Sequence, residues 1–236
     1  MKRVLATLVT LSLVAVATAQ QAVAIATSSN GGSASANATA TGNADSLAIA
    51  GATNGGRAVA NSDARATGTG YAVSRAVAAA DRGLAISNSL ADARGLAGGT
   101  AVADSESIAA TVGGIARSDS AAHADGVYFG HARSRSTSTA LSRYGVAVSD
   151  SHVTSRWLFG GRAVGNSDAQ ATTFGGRSTS RTHVVSDARY FASAAANGLG
   201  ISAGGPCRAA ASDVRAESRA THFGRSDSNA VMIRVR

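Results

Sequence analysis

The side chains able to do chemistry are few, and their spacing is poor for it. Gly200-Ile201-Ser202-Ala203-Gly204 has the G-x-S-x-G spacing of a nucleophile elbow. In that motif a serine on a sharp strand-to-helix turn is activated by a histidine and an acid brought from elsewhere. No amphipathic helix pattern follows here, and a chain with 27 Gly and 31 Ser produces such a match from composition alone. The five histidines, His123, His131, His152, His183 and His222, lack both the H-E-x-x-H and the paired-cysteine spacings of a metal centre. The glycine pairs are not followed by the spacing of a nonapeptide calcium repeat. The sequence therefore gives no reason to expect catalysis, a metal or a cofactor. Cys207 stands alone and cannot close an internal disulfide.

Arginine is the other chemically specific residue. The basic start Met1-Lys2-Arg3, the 13-residue apolar run Val4 to Val16 and the small residues of Ala17-Thr18-Ala19 predict a secretory signal over 1–19, cleaved before Gln20. The run is shorter than the roughly 20 residues that span a bilayer, so no integral membrane insertion is expected. Processing at that point leaves 20 Arg, no Lys and 14 acidic residues, a net charge of +6. Guanidinium groups bind carboxylate, sulfate and phosphate with two parallel hydrogen bonds. Arg117, Arg133, Arg135, Arg162, Arg177 and Arg181 are the candidates for contact with an acidic polysaccharide or another cell-surface polyanion.

The scaffold that must position these groups is unusual. Ala, Ser, Gly and Thr make up 131 of the 236 residues, and Leu, Ile, Val and Phe only 43. Side chains so small bury little area each, so backbones must come close together. GGRAVANSDARAT from Gly55 and GGRAVGNSDAQATT from Gly160 recur in related form from Gly98, Gly113, Gly145 and Gly175, with a step near 15 residues. Inside each unit small residues alternate with polar ones, as in Ala58, Ala60, Ser62, Ala64, Ala66 and Ala116, Ser118, Ser120, Ala122, Ala124. Period two means strand. The expectation is an all-β, single-chain β-solenoid of about a dozen coils of roughly 15 residues, small side chains inside, with coils paired in parallel about 4.8 Å apart. Residues 55–229 hold the clear repeats, 20–54 read as an irregular linker or cap, and 230–236 as a C-terminal strand or cap.

Stacked coils predict ladders. Phe129, Tyr144, Phe159 and Phe174 step by 15, followed less regularly by Phe191 and Phe223, and would form one aromatic column. Trp157 would share the face of Phe159. Charged pairs two residues apart, Asp63/Arg65, Asp92/Arg94, Arg117/Asp119, Asp187/Arg189, Asp213/Arg215 and Arg225/Asp227, would face outward and interleave in sign between coils.

At the level of GGRAVANSDARAT and GGRAVGNSDAQATT the repeat resembles the Gly/Ala/Ser-rich β-roll heads of trimeric autotransporter adhesins. That resemblance implies a surface or matrix-contacting role. The period is nearer 15 than the family's 14, its Ala-Ile-Gly signature is not kept, and no stalk or anchor pattern follows. The functional expectation is a secreted, non-enzymatic structural protein that self-associates into a layer or fibre. Val231, Ile233 and Val235 would form the joint, because an unpaired strand edge templates another chain. The alternatives are an adhesin for acidic glycans and an ice-binding protein, for which Thr137/Thr139 is the one local threonine pair.

Overall fold

The computed structural model describes residues 11–17, 21–42, 44–68, 71–95, 100–128, 131–174, 176–191, 193–203, 209–221 and 224–235. The signal expectation falls largely outside them, as do Phe129, Pro206, Cys207, His222 and Phe223. The chain is all β. Its strands are β1 (Leu11–Ala17), β2 (Gln21–Ser28), β3 (Ser33–Thr41), β4 (Ala44–Ala52), β5 (Arg57–Gly68), β6 (Tyr71–Ala80), β7 (Leu84–Gly95) and β8 (Thr100–Thr111). They continue as β9 (Ile115–Tyr128), β10 (His131–Ser142), β11 (Val146–Phe159), β12 (Arg162–Thr173), β13 (Arg177–Arg189), β14 (Ser193–Ala203), β15 (Ala210–Thr221) and β16 (Arg225–Val235).

Odd-numbered strands form one parallel sheet, here called sheet A, and even-numbered strands form a second, sheet B. The expected solenoid is therefore present, and each repeat unit is one strand with its corner. Two units, not one, complete a turn: Leu84 lies beside Ile115, Ile115 beside Val146 and Val146 beside Arg177. The turn lengthens along the rod. On sheet A, Asn37 and its ladder neighbour Asn61 are 24 apart in sequence, Asn61 and Asn88 are 27 apart, His152 and His183 are 31 apart, and Ser180 and Ser212 are 32 apart. Within the segment expected as a linker or cap, Gln21–Ser28, Ser33–Thr41 and Ala44–Ala52 form regular strands; their repeat phase differs because their coils are shorter than those of the central rod. Leu11–Ala17, inside the expected signal, form β1 and pair with β3. Cleavage before Gln20 would remove β1 and leave β3 as the edge of sheet A. Among the described residues no helix is long and apolar enough to cross a membrane.

The interior is made of the small alternate residues. Ala58, Ala60, Ala64, Ala116 and Ala124 are fully buried, and so are Ser74, Ser87, Ser118 and Ser138. Most of the buried hydroxyls find partners across the gap between the sheets; Thr111, Thr173 and Ser178 do not. Ser62 Oγ on β5 donates to Ser46 O on β4 (2.7 Å), Ser89 on β7 to Ser74 O on β6 (2.7 Å), and Ser105 on β8 to Ser89 O (2.8 Å). Ser120 then donates to Ser105 O (2.9 Å), Ser136 to Ser120 O (2.8 Å) and Ser151 to Ser136 O (3.0 Å), so one serine column stitches sheet A to sheet B coil after coil. A second column runs through Ser87, Ser107, Ser118, Ser138 and Ser149. A single Cβ–Oγ reaches from one sheet to a carbonyl of the other, so the sheets sit far closer than the usual ~10 Å. Each hydroxyl would otherwise be a buried polar group left unpaired, a loss of about 1–3 kcal/mol.

Where a larger residue points inward, a glycine makes room. A Cβ on Gly126 would overlap the Trp157 indole, and one on Gly165 would meet Val153 and Val184. Glycine is also required at the corners leading into β5, β7, β9, β11 and β13. A Cβ on Gly114 would strike the carbonyl oxygen of Gly83, and one on Gly145 that of Gly114. Those carbonyls accept the bonds that carry the ladder round the corner, Ile115 N–H to Gly83 O (3.1 Å) and Val146 N–H to Gly114 O (3.0 Å).

Candidate interaction surfaces

With the interior closed by Ala and Ser, the functional groups stand in columns on the two outer faces and at the corners. On sheet A the central column begins Asn37, Asn61, Asn88 and continues Asp119, Asp150, Arg181, Asp213. The asparagines form an amide ladder, Asn61 Nδ2 donating to Asn37 Oδ1 (2.7 Å) and Asn88 Nδ2 to Asn61 Oδ1 (2.8 Å). Asp119 and Asp150 then bring two carboxylates into neighbouring coils, so the signs do not strictly interleave. Desolvation and the Asp119 charge raise the Asp150 carboxyl above the ordinary carboxylate range, against the pull of Arg181 and Arg117. The neighbouring column holds Leu90, Ala121, His152, His183 and Arg215. The two columns line a groove of about 850 Å³ along the rod.

Five of the six charge pairs form as ion pairs within one strand: Arg65–Asp63 (2.9 Å), Arg94–Asp92 (3.4 Å), Arg117–Asp119 (2.9 Å), Arg189–Asp187 (3.2 Å) and Arg225–Asp227 (3.3 Å). The sixth does not. Arg215 turns from Asp213 to Glu217, its Nε donating to Glu217 Oε1 (2.7 Å), and holds the Glu217 carboxyl below its usual range.

The six candidate arginines divide between the faces. Arg117, Arg177 and Arg181 stand on sheet A, and Arg133, Arg135 and Arg162 on sheet B. Arg117 is held by Asp119; the other five make no ion pair among the described residues. On sheet B, Arg133 and Arg135 stand at one end of a groove of about 390 Å³ whose floor is Asn166, Asn197 and Asn229. The first half of that sheet carries one apolar outer column, Ile25, Ile49, Val77 and Ile108. Thr139 follows in that column and Thr137 in the adjacent one, beside Ile108 and Glu106 respectively, so no threonine array recurs.

The aromatic residues do not make one column. Successive repeat units belong to opposite sheets and end at opposite corners, so the rings separate into two sets. Tyr128, Phe159 and Tyr190, each one full turn from the last, stack with centroid separations of 5.4 and 4.9 Å. Tyr144 and Phe174 meet edge to face at 6.1 Å, with Arg143 over the Tyr144 ring at 5.7 Å. Phe191 is 72% exposed beside the first stack, where Tyr190 takes the place expected for it. Both faces of Phe159 are covered by neighbouring rings, which leaves edges rather than a platform for a sugar. Trp157 does not share the half-exposed face of Phe159. It is buried inward, its Nε1 donating to Phe159 O (2.9 Å). The sequence cue to both corrections is the step of a full turn, which links 128, 159 and 190, and Gly126 to Trp157.

The serine of the G-x-S-x-G match, Ser202, is buried within β14 and donates to Ala211 O (2.6 Å). It sits within a strand, not on a strand-to-helix turn. Among the described residues no three His, Cys, Asp or Glu side chains converge as a metal-binding group.

At the end of the rod, β16 pairs with β14 on one side, and no described strand lies on the other. Its exposure extends to both faces: Val231 (41%) and Ile233 (42%) point outward, and Met232, on the inward side, is 52% exposed. Val235 continues the ladder opposite Ala203.

No protein family model, no curated protein and no solved structure matches the chain. The parallel solenoid of repeating coils is observed, while the likeness to autotransporter heads stays one of composition and period.

Proposed function

We propose that the chain is a secreted, non-enzymatic structural protein that builds or decorates an extracellular layer or fibre through contacts between solenoids. The observation that carries this reading is β16, which among the described residues is paired along one edge only and whose apolar side chains are exposed on both faces. Free N–H and C=O groups along such an edge add another strand at little cost. The joint is between like ends. The coils at the start of the rod are shorter than those at its end, as the steps from Gln21 to Asp45 and from Ser193 to Arg225 show. Head-to-tail docking therefore leaves backbone unpaired, while two C-terminal ends match each other in length. Electron microscopy and sedimentation of the chain from Gln20 onward test this. The reading expects pairs or filaments with rods of alternating polarity that persist in high salt and are lost on Ile233→Lys. Single rods at every concentration would overturn it.

A second reading, binding of an acidic polysaccharide, is favoured by Arg133, Arg135 and Arg162 on sheet B, which form no ion pair among the described residues. Binding of that kind falls steeply with salt because it releases counterions. Loss of binding in Arg133→Ala/Arg135→Ala/Arg162→Ala at low salt would place it on sheet B; equal binding by the variant would exclude that surface.

A further inference from the structure

His152 on β11 and His183 on β13 lie directly opposite each other in the parallel ladder of sheet A. Their rings are 4.9 Å apart between centroids and tilted by 46°. The tilt brings the two Nδ1 atoms to 3.2 Å. An imidazole nitrogen binds zinc at about 2.0–2.1 Å and copper and nickel comparably. Two such bonds to nitrogens 3.2 Å apart enclose an angle of about 103°, between the square and tetrahedral values. We propose that His152 and His183 chelate one divalent late transition-metal ion through their Nδ1 atoms, on the outer face of sheet A.

The surroundings suit an ion held by two protein ligands and water. The pair lines the groove of about 850 Å³, which leaves the outward coordination positions open to solvent. Both side chains rise from directly paired strands, neither of them an edge of sheet A, so the chelate needs no closing movement. The nearest cations are balanced: Arg215, next to His183 in the ladder, is tied to Glu217, and Arg181 lies between Asp150 and Asp213. Desolvation, together with His183 and His123, lowers the His152 pKa. His123 does not join, because its Nε2 is engaged by Asp125 at 3.0 Å. Imidazole ligands with open positions favour copper over nickel and zinc.

Titration of the full chain with CuCl2 and with ZnCl2 at neutral pH, followed by calorimetry and by electron paramagnetic resonance for copper, tests the site. The expected result is one saturable ion per chain, with hyperfine structure from two imidazole nitrogens. Loss of one arm of a chelate forfeits its effective concentration, so His152→Ala and His183→Ala each weaken binding roughly a hundredfold. His131→Ala, on sheet B, leaves it unchanged. Circular dichroism checks that each variant keeps its sheet, and His183→Asn reports on the same chelate should an alanine variant not fold. Absence of saturable binding, leaving the pair joined only by an N–H···N hydrogen bond, or equal binding by the wild type and the His152 and His183 variants, overturns the proposal.

Discussion

Ala121 and Ala122 are neighbours in β9 that point to opposite sides of the sheet, and leucine at each has very different consequences. Ala122 is buried, between Ala91 and Val153 in the ladder. The larger inward residues are matched by glycines, Gly126 against Trp157, Gly165 against Val153 and Val184, and Gly198 and Gly200 against Val214, and no such glycine is placed against Ala122. Ala122→Leu therefore pushes three carbons into a gap bridged by serine hydroxyls at 2.6–3.0 Å. Overpacking of that kind costs about 3 kcal/mol. Ala121 faces outward, and its ladder neighbour on β7 is already a leucine, Leu90. Ala121→Leu should stay within about 0.5 kcal/mol of the wild type. With a urea dependence of about 3 kcal/mol/M, the inward variant lowers the unfolding midpoint by about 1 M and the outward one leaves it in place. Amide exchange adds a local readout, since in a stacked array the loss falls first on β9 and the strands packed against it. Equal midpoints for the two variants would refute the reasoning, because the sheets would then not be held together by small inward side chains.

Two further outcomes follow from the same packing. Trp157 is the only tryptophan and is buried over Gly126; Gly126→Ala should expel the indole and red-shift its fluorescence, and an unshifted spectrum would contradict that contact. Desolvation and Asp119 raise the folded-state pKa of Asp150 above its ordinary 3.8, so folding favours the protonated form. That contribution is fully present below about 3.8 and is lost as pH rises through the folded value, leaving a charge held at a cost at neutral pH. Asp150→Asn removes the charge and sets a further amide in the column of Asn37, Asn61 and Asn88. It should raise the urea midpoint at pH 7, with the gain vanishing below about pH 4; no gain at pH 7 would count against the like-charge contact.

Alternation made the fold class legible: every residue of Ala58, Ala60, Ser62, Ala64 and Ala66 is buried, as is every one of Ala116, Ser118, Ser120, Ala122 and Ala124. The length of the coil was not legible from the step of the repeat. Both sheets use the same small interior, so a strand on sheet A and the next on sheet B read as copies of one unit. Only residues that touch along one sheet carry the true period, as His152 and His183 do at 31 and Asn37 and Asn61 do at 24. Trp157 was misplaced because strand parity stops at the corner, where Phe159 turns to stack on Tyr128 and Tyr190. The His152–His183 contact was invisible for the same reason as the coil length, since it joins residues a full turn apart.

Disulfide trapping across the two sheets tests the close approach most directly. Ser105 on β8 and Ser120 on β9 place their Oγ atoms 3.0 Å apart, within reach of a bridge whose Cβ atoms stand about 3.5–4.5 Å apart. With Cys207 replaced by serine, Ser105→Cys/Ser120→Cys should oxidise within the folded chain and migrate as a cross-linked species, while Ser105→Cys/Ala121→Cys, one residue on and facing outward, should remain reduced. Cross-linking of the second pair in place of the first, or of neither, would mean that small side chains do not bring sheet A and sheet B together.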